Sequence, residues 1–302
     1  LGLIVLVSLD PAILVALSFS SDVREHIEAE ARLLASQQAE RLAGRGREIA
    51  AAGRQELSAL ARLGEIHTPK GNAPNAVLRD VFLQSPHTLS CSLYDLSGRV
   101  KASSRPEKDP LPVSAQPWFR HVLASLTCSL GEQDYSHSLQ RNLLVQACPV
   151  LGAGGEITGV LALAVDFSWF QKAAANLALP TGSTAMVVNA EGGIVAVFPA
   201  NADNNAKYIP DSMSLMPKVA GGQTSHLAKG MDGAERLFAF APLTVQPGNE
   251  LYVRVGIPIT EAFAEAKAST QKSLAGLVLV AVVSLFGAFL VAETILVPAE
   301  GI

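Results

Sequence analysis

Few residues in this 302-residue chain stand at a spacing that does covalent chemistry. Ser, His and Asp occur in no nucleophile arrangement. No glycine-rich loop leads into a helix as a phosphate cradle, and no paired carboxylates share a helical face. Cys91, Cys128 and Cys148 contain no CxxC pair, and the six histidines are scattered, so metal-ligand spacing is missing as well. No catalytic residue, metal site or cofactor is expected in these residues. The residues suited to binding are Trp118 and Phe119, which open a helical segment, Tyr135 further on, and Asp166, which ends the otherwise apolar strand VLALAV. Small-molecule sites are concave, mostly apolar and carry a few convergent polar groups, and these residue types fit that description. Asp166 has a competing role. Asp is among the best helix N-caps, worth about 1 kcal/mol, and a helical segment starts at Ser168. Cap, ligand contact and both together stay open from the sequence.

The elements that must position these residues follow from periodicity. Asp22–Gly64 reads as one long helix, with Val23, Ile27, Leu34, Leu42, Ile49, Leu57 and Leu60 at helical intervals. Gly44, Gly46 and Gly53 weaken its middle, so a bend is expected there. Asn75–Gln84 and Trp118–Leu126 read as shorter helices, and Gly131–Ser138 as a polar connection. Leu89–Asp95, Val100–Ser104, Asn142–Val150 and Glu156–Asp166 read as strands, followed by a short helix at Ser168–Leu177. The pattern then restarts. Strands are expected at Thr184–Asn189, Ile194–Phe198, Gln223–Lys229, Arg236–Leu243 and Leu251–Ile257, with a helix at Asp211–Ala220.

Two apolar stretches bracket this region. Ser273–Ala292 carries no charge and has the length of a bilayer's hydrocarbon core, so it reads as a transmembrane helix. Leu1–Ser20 is nearly all apolar and reads as a first membrane helix in preference to a cleaved signal peptide, with Asp10 as a kink or dimer-contact position. The chain opens on Leu1 in place of Met, as expected of a sequence lacking its initiating segment. All 23 Lys and Arg lie in residues 21–272, together with all of the 27 acids except Asp10, Glu293 and Glu300. That near-neutral balance, without a basic block, gives no electrostatic footprint for nucleic acid.

An internal repeat organises residues 67–258. Asp95–Gly98 (DLSG) matches Asn189–Gly192 (NAEG), Gln146–Val150 (QACPV) matches Ala239–Leu243 (AFAPL), and the strand ending Ala164–Val165 matches the one ending Gly256–Ile257. The three matches fall at nearly one offset, which implies two α+β units in tandem. Together with Gln116–Pro–Trp–Phe119, Gly155–Val160 (GEITGV), Asp166–Trp169 (DFSW) and Leu179–Ser183 (LPTGS), they resemble the double Cache domain of bacterial transmembrane receptors. The tail Glu293–Ile302, with Pro298, is similar to the entry of a HAMP linker.

The resemblance implies an α+β fold: a long N-terminal helix and two tandem PAS-like (Cache) modules with antiparallel sheets, flanked by two transmembrane helices. The expected boundaries are residues 1–20 for the first transmembrane helix, 21–66 for a stalk helix, 67–178 for the membrane-distal module and 179–258 for the membrane-proximal module. Residues 259–272 follow as a connecting helix, 273–292 as the second transmembrane helix and 293–302 as the start of a HAMP linker. It also implies a ligand pocket in the distal module walled by Gln116, Trp118, Phe119, Tyr135 and Asp166, with the proximal module empty. In amino-acid-binding members, an Arg and a Tyr hold the ligand carboxylate where this chain has Gln116 and Leu111. Tyr135 and Asp166 match the residues on the amine side. The amine half is thus kept and the acid half lost, which argues against an amino acid and leaves an amine, a neutral metabolite, or a carboxylate bound by Arg120 or Arg141. In the fold resembled, the strands of Cys91 and Cys148 are separated by a third, so three free thiols are expected.

The function implied is the extracytoplasmic input of a receptor in the bacterial inner membrane, with residues 21–272 periplasmic or extracellular. A small molecule, the lipid bilayer and a second copy of the chain are its expected partners. A histidine kinase or diguanylate cyclase output is favoured over a chemotaxis transducer or a membrane-anchored binding protein without output.

Overall fold

The computed structural model describes residues 2–67, 71–85, 87–105, 110–129, 131–136, 141–200, 208–210, 212–246 and 249–259; within the first helix the side chains are described for residue 25 and from residue 28 onward. Ser273–Ala292 and the tail after it lie outside the described residues, as do the side chains of Leu1–Ser20. Among the described residues no helix is long and apolar enough to cross a membrane.

The elements in chain order are α1 (Gly2–Leu60), α2 (Gly64–His67), α3 (Ala73–Gln84), β1 (Thr88–Tyr94), β2 (Val100–Ser103), α4 (Pro117–Ser125), β3 (Glu132–Ser136), β4 (Arg141–Leu151), β5 (Ile157–Asp166) and α5 (Ser168–Ala175). They continue as β6 (Thr184–Asn189), β7 (Ile194–Phe198), α6 (Ser212–Ala220), β8 (Ser225–Lys229), β9 (Glu235–Gln246) and β10 (Asn249–Pro258). Two five-stranded sheets result, ordered β2-β1-β5-β4-β3 and β7-β6-β10-β9-β8. The order is the same in both, one element set shifted along the chain, as the sequence repeat implies. Pairings β1–β2, β1–β5, β3–β4, β4–β5, β6–β7, β6–β10 and β8–β9 are antiparallel.

The repeated motif has a physical reason. In DLSG the Asp95 carboxylate accepts the backbone N–H of Ser97 and of Arg99, while Gly98 turns the chain at φ 79°. In NAEG the Asn189 side-chain oxygen accepts the N–H of Gly193, and Gly192 turns at φ 78°. Asp and Asn both reach their own backbone in this way, and glycine enters the left-handed region without steric cost. One difference from the sequence reading is β3, expected only as a polar connection. Its residues EQDYS lack the apolar alternation that marks a half-buried strand, yet they pair in register with Arg141–Val145 of β4.

Both sheets belong to the compact unit Arg32–Ile257. Helix α1 runs without interruption through its glycines. Its buried stripe is Ala31, Ala35, Ala39, Leu42, Gly46, Gly53, Leu57 and Leu60. A methyl added at Gly53 would meet Gln146 Oε1 at 2.1 Å and Leu163 at 3.1 Å, and one at Gly46 would meet Leu243 at 2.3 Å and Trp169 at 2.6 Å. The glycines are therefore contact points where the α1 backbone lies on β4, β5, α5 and β9. The Gln146 side-chain N–H donates to the Ala50 carbonyl at 2.7 Å, fixing the helix over the first sheet.

The cysteines overturn the expectation of three free thiols. Cys128 and Cys148 form a disulfide, with Cα atoms 4.1 Å apart, and Cys91 alone is free. Strand β5 does separate Cys91 from Cys148. Cys128, however, is placed by the segment after α4. There the Ser129 N–H donates to the Ala147 carbonyl at 2.8 Å, and the Ser129 hydroxyl accepts the Ala147 N–H at 3.0 Å. This pairing sets residue 128 beside residue 148, which no sequence spacing announces.

Two predictions follow from the packing. Gly46→Ala should destabilise the fold by about 1–3 kcal/mol through overpacking, although alanine is the better helix former by about 1 kcal/mol. Gly44→Ala, whose added methyl meets only Arg47 at 3.7 Å, should be neutral or stabilising. Urea unfolding of both variants checks the opposite signs. For the cysteines, burial pushes the Cys91 thiol up to about 12, with Glu56 adding to it. Thiol titration at pH 8 should find none in the native protein, one after denaturation and three after reduction, and reduction should cost about 3 kcal/mol of stability.

Candidate functional site

The front face of the first sheet, opposite α1, borders a cavity of about 740 Å³. Strand alternation decides which residues reach it. From β1 these are Ser90, Ser92 and Tyr94, from β5 Ala162 and Ala164, and from β4 Leu143 and Val145. Cys91, Leu93, Leu144, Leu161 and Leu163, one residue out of phase, are buried but absent from its wall. From edge strand β3, Asp134 and Ser136 line the cavity. The small side chains at Ser90, Ser92, Ala162 and Ala164 leave the volume open.

Helix α4 closes another side. Trp118, Phe119 and Val122 are its buried face and pack on Leu143, Val145, Val160 and Ala162. The Trp118 indole N–H donates to Asp134 Oδ2 at 3.1 Å, and Tyr94 meets the Trp118 ring edge-on at 5.8 Å. The Asp134 carboxylate is thus held by a buried donor with its other oxygen, Oδ1, accepting the Tyr135 N–H at 2.7 Å. Next along the strand, Glu132 is buried, and burial raises its pKa while the His121 charge pulls it the other way. Across the cavity, Ser103 and Ser92 share a hydroxyl hydrogen bond of 2.9 Å, and Asn75 Oδ1 accepts the Ser103 N–H at 2.8 Å. Lys101 and Arg105 stand at this side as exposed lining residues. The wall therefore carries one acid on β3 and two bases on and after β2. An ammonium group fits the first and a carboxylate the second.

The five residues singled out from the sequence are placed differently. Gln116 and Trp118 line the cavity; the Gln116 side chain makes no capping bond although it precedes α4. Phe119 is buried one layer behind, edge-on to Trp118 and Tyr94. Tyr135 and Asp166 are not among the lining residues. Tyr135 is out of phase with Asp134 and 42% exposed. Asp166 Oδ1 accepts both the N–H and the hydroxyl of Ser168, and Oδ2 pairs with Arg141 at 3.5 Å. The N-cap position of α5 is Phe167, so Asp166 stands one residue ahead of the cap and bonds Ser168 from there. Asp134 was missed because β3 was not recognised as a strand. Once it is paired with β4, counting by twos from Asp134 to Ser136 identifies the inward side. Leu111 also lines the cavity, as an uncharged residue. Among the described residues no group of three His, Cys, Asp or Glu is placed to hold a metal ion.

A family model described as a Cache domain matches residues 19–266. No curated protein sequence matches. Among solved structures, the extracellular domain of rpHK1S-Z16, a protein assigned to the histidine kinases, superposes with a TM-score of 0.61 at 17% identity, over 76% of this chain and 94% of that one. The ligand-binding domain of the Pseudomonas fluorescens chemoreceptor CtaA, in complex with L-isoleucine, gives 0.58 at 18% identity, over 81% and 98%. The periplasmic sensory domain of the Campylobacter jejuni chemoreceptor Tlp1 gives 0.57 at 12% identity, over 78% and 98%. At these identities the likeness is one of fold.

The placement of Asp166 gives a test. Asp166→Ala, which removes the acceptor of the Ser168 N–H, should lose about 1 kcal/mol of stability, and Asp166→Asn, which retains an accepting oxygen, should keep most of it. Chemical denaturation of the two variants measures the difference.

Proposed function

The chain belongs to the Cache domain family, and from that premise we propose that it is the extracytoplasmic ligand-sensing input of a transmembrane signal-transduction receptor. Its ligand is a small molecule carrying a cationic amine, bound in the cavity of the first sheet. The observation that carries this reading is the Asp134 carboxylate, oriented by the Trp118 indole on one wall, with Lys101 and Arg105 on another. A wall of both signs suits a zwitterion. An α-amino acid would place its ammonium at Asp134 and its carboxylate toward the two bases. Gln116 and Leu111 alone had argued against that class; the cationic side chains come instead from β2 and the segment after it. The L-isoleucine in the CtaA structure supports the same class.

In the full reading, residues 67–178 and 179–258 are the membrane-distal and membrane-proximal modules. Residues 1–20 and 273–292 span the bacterial inner membrane, and 293–302 begin a HAMP linker. The Cys128–Cys148 disulfide supports an extracytoplasmic placement, because disulfides persist in oxidising compartments. The receptor works as a homodimer that passes the signal through the second membrane helix. Its output is a histidine kinase or a diguanylate cyclase, with a chemotaxis transducer or a binding protein without output as the alternative.

The experiment is a thermal-shift screen of the full chain in detergent micelles. Its panel is the twenty L-amino acids together with the amines that lack their carboxylate. At least one member should raise the unfolding midpoint. Loss of the charge-assisted hydrogen bond in Asp134→Ala should weaken that ligand about 10- to 100-fold, whereas Tyr135→Ala should leave binding within about two-fold. Equal binding by wild type and Asp134→Ala sinks the proposed site.

A further inference from the structure

The second sheet holds a charge that nothing described around it neutralises. Arg254, on β10, is 1% exposed and among the largest fully buried side chains. Its Nε, Nη1 and Nη2 are all sealed from solvent, and among the described residues none of them has a hydrogen-bond partner. The guanidinium carbon lies 3.5 Å from the centre of the Phe238 ring and 5.8 Å from that of Phe240. His226 stacks on the same two rings at 5.7 and 5.6 Å. The neighbouring charge that acts on it has the same sign. Arg236 is already committed, to both carboxylate oxygens of Asp232 and to the Gly182 carbonyl. Burial first, and Arg236 second, pull the Arg254 pKa down to about 9, which leaves it cationic at neutral pH.

The repeat says what this position is. Ala162 lies opposite Ser92 in the first sheet's ladder, and both line the ligand cavity. Arg254 lies opposite Met186 in the second sheet, the equivalent pair. The guanidinium therefore faces the side of the second sheet that corresponds to the ligand side of the first. A buried cation without a partner is strongly unfavourable, and contact with a ring face recovers only part of its lost hydration. The guanidinium fork is matched in shape and charge by a carboxylate.

We propose that the second module is a binding site for a small monocarboxylate of the size of formate or acetate, with Arg254 as its ion-pairing residue and Phe238 and Phe240 as its apolar wall. Formate and acetate are the smallest carboxylates and hence the probes suited to a guanidinium sealed from solvent.

The proposal stands apart from the reading of the first cavity, and its test keeps the two separate. The full chain in detergent micelles is unfolded thermally at pH 7 in sodium acetate, sodium formate or sodium chloride at equal ionic strength. At ten times its Kd, acetate or formate should raise the midpoint by about 3–6 °C over chloride. Arg254→Met, which keeps the length and removes the charge, should lose that shift and be at least as stable as wild type in chloride. Arg254→Lys keeps the charge without the fork and should bind at least ten-fold more weakly, which keeps the test open if the Met variant fails to fold. Asp134→Ala should retain the full shift. Equal midpoints of wild type in carboxylate and chloride, a shift that persists in Arg254→Met, or one that vanishes in Asp134→Ala would each overturn the proposal.

Discussion

The contact of α1 with the back faces of both sheets is the constraint that the rest of the fold answers to. Gly46 lies against Leu243 of β9 and Trp169 of α5, and Gly53 against Gln146 of β4 and Leu163 of β5, so the helix backbone itself lies on the strands. Gln146, buried at the centre of the first back face, has its amide N–H satisfied by the Ala50 carbonyl of the helix. With one face covered in this way, each sheet buries its other face under a short helix, α4 or α6. Two layers around one core is the arrangement that a sheet with an apolar face requires. The cavity of the first sheet lies on the front, between strands and the shorter helix.

Two sheets of the same strand order reach opposite solutions there. Ser90, Ser92, Ala162 and Ala164 are small, and the first front face keeps a cavity of about 740 Å³. Met186, Phe238, Phe240 and Arg254 occupy the second, where a methyl on Gly256 would already meet the Phe238 ring at 2.3 Å. The two sheets share a backbone frame whose Asp or Asn turns closed by glycine are set by local chemistry. Side-chain volume on one face is free to vary without disturbing that frame, so duplicated modules diverge first in what their front faces hold.

The strand that carries Asp134 also joins the two sheets. Gln133, its neighbour on the opposite phase, accepts from Asn189 at 3.5 Å through its side chain and donates its backbone N–H to Asn249 at 3.4 Å. Asn249 Nδ2 in turn donates to the Gly131 carbonyl at 3.1 Å, and Asn142 to the Val195 carbonyl at 3.0 Å. Asn249 opens β10, so a ligand that moves β3 acts one residue away from the start of the second sheet's central strand. The shift that a ligand can impose is limited to its differential affinity for the two arrangements. Long polar contacts of this kind are the ones that change at small cost.

The sequence by itself determined the elements and their repetition, because these rest on local chemistry. Helical spacing, strand alternation and the Asp or Asn turn closed by glycine are each readable within about ten residues. The repeat of DLSG in NAEG led to two sheets of one topology, and Gln116 and Trp118 were found as residues bordering the cavity. Tertiary structure alone decided the rest. EQDYS becomes a strand only because β4 offers it a ladder, and that pairing turns Asp134 inward and Tyr135 outward. Cys128 meets Cys148 through the Ser129–Ala147 backbone pairing, not through spacing. Gly46 and Gly53 of α1 read as weak points from propensity and proved to be contacts, since propensity does not register what lies across the helix. Arg254 looks like any outward charge in YVRVG, and only the covering of the front face makes it a buried cation. Local preference travels with the residue, whereas burial, partner and phase belong to the neighbours that folding brings.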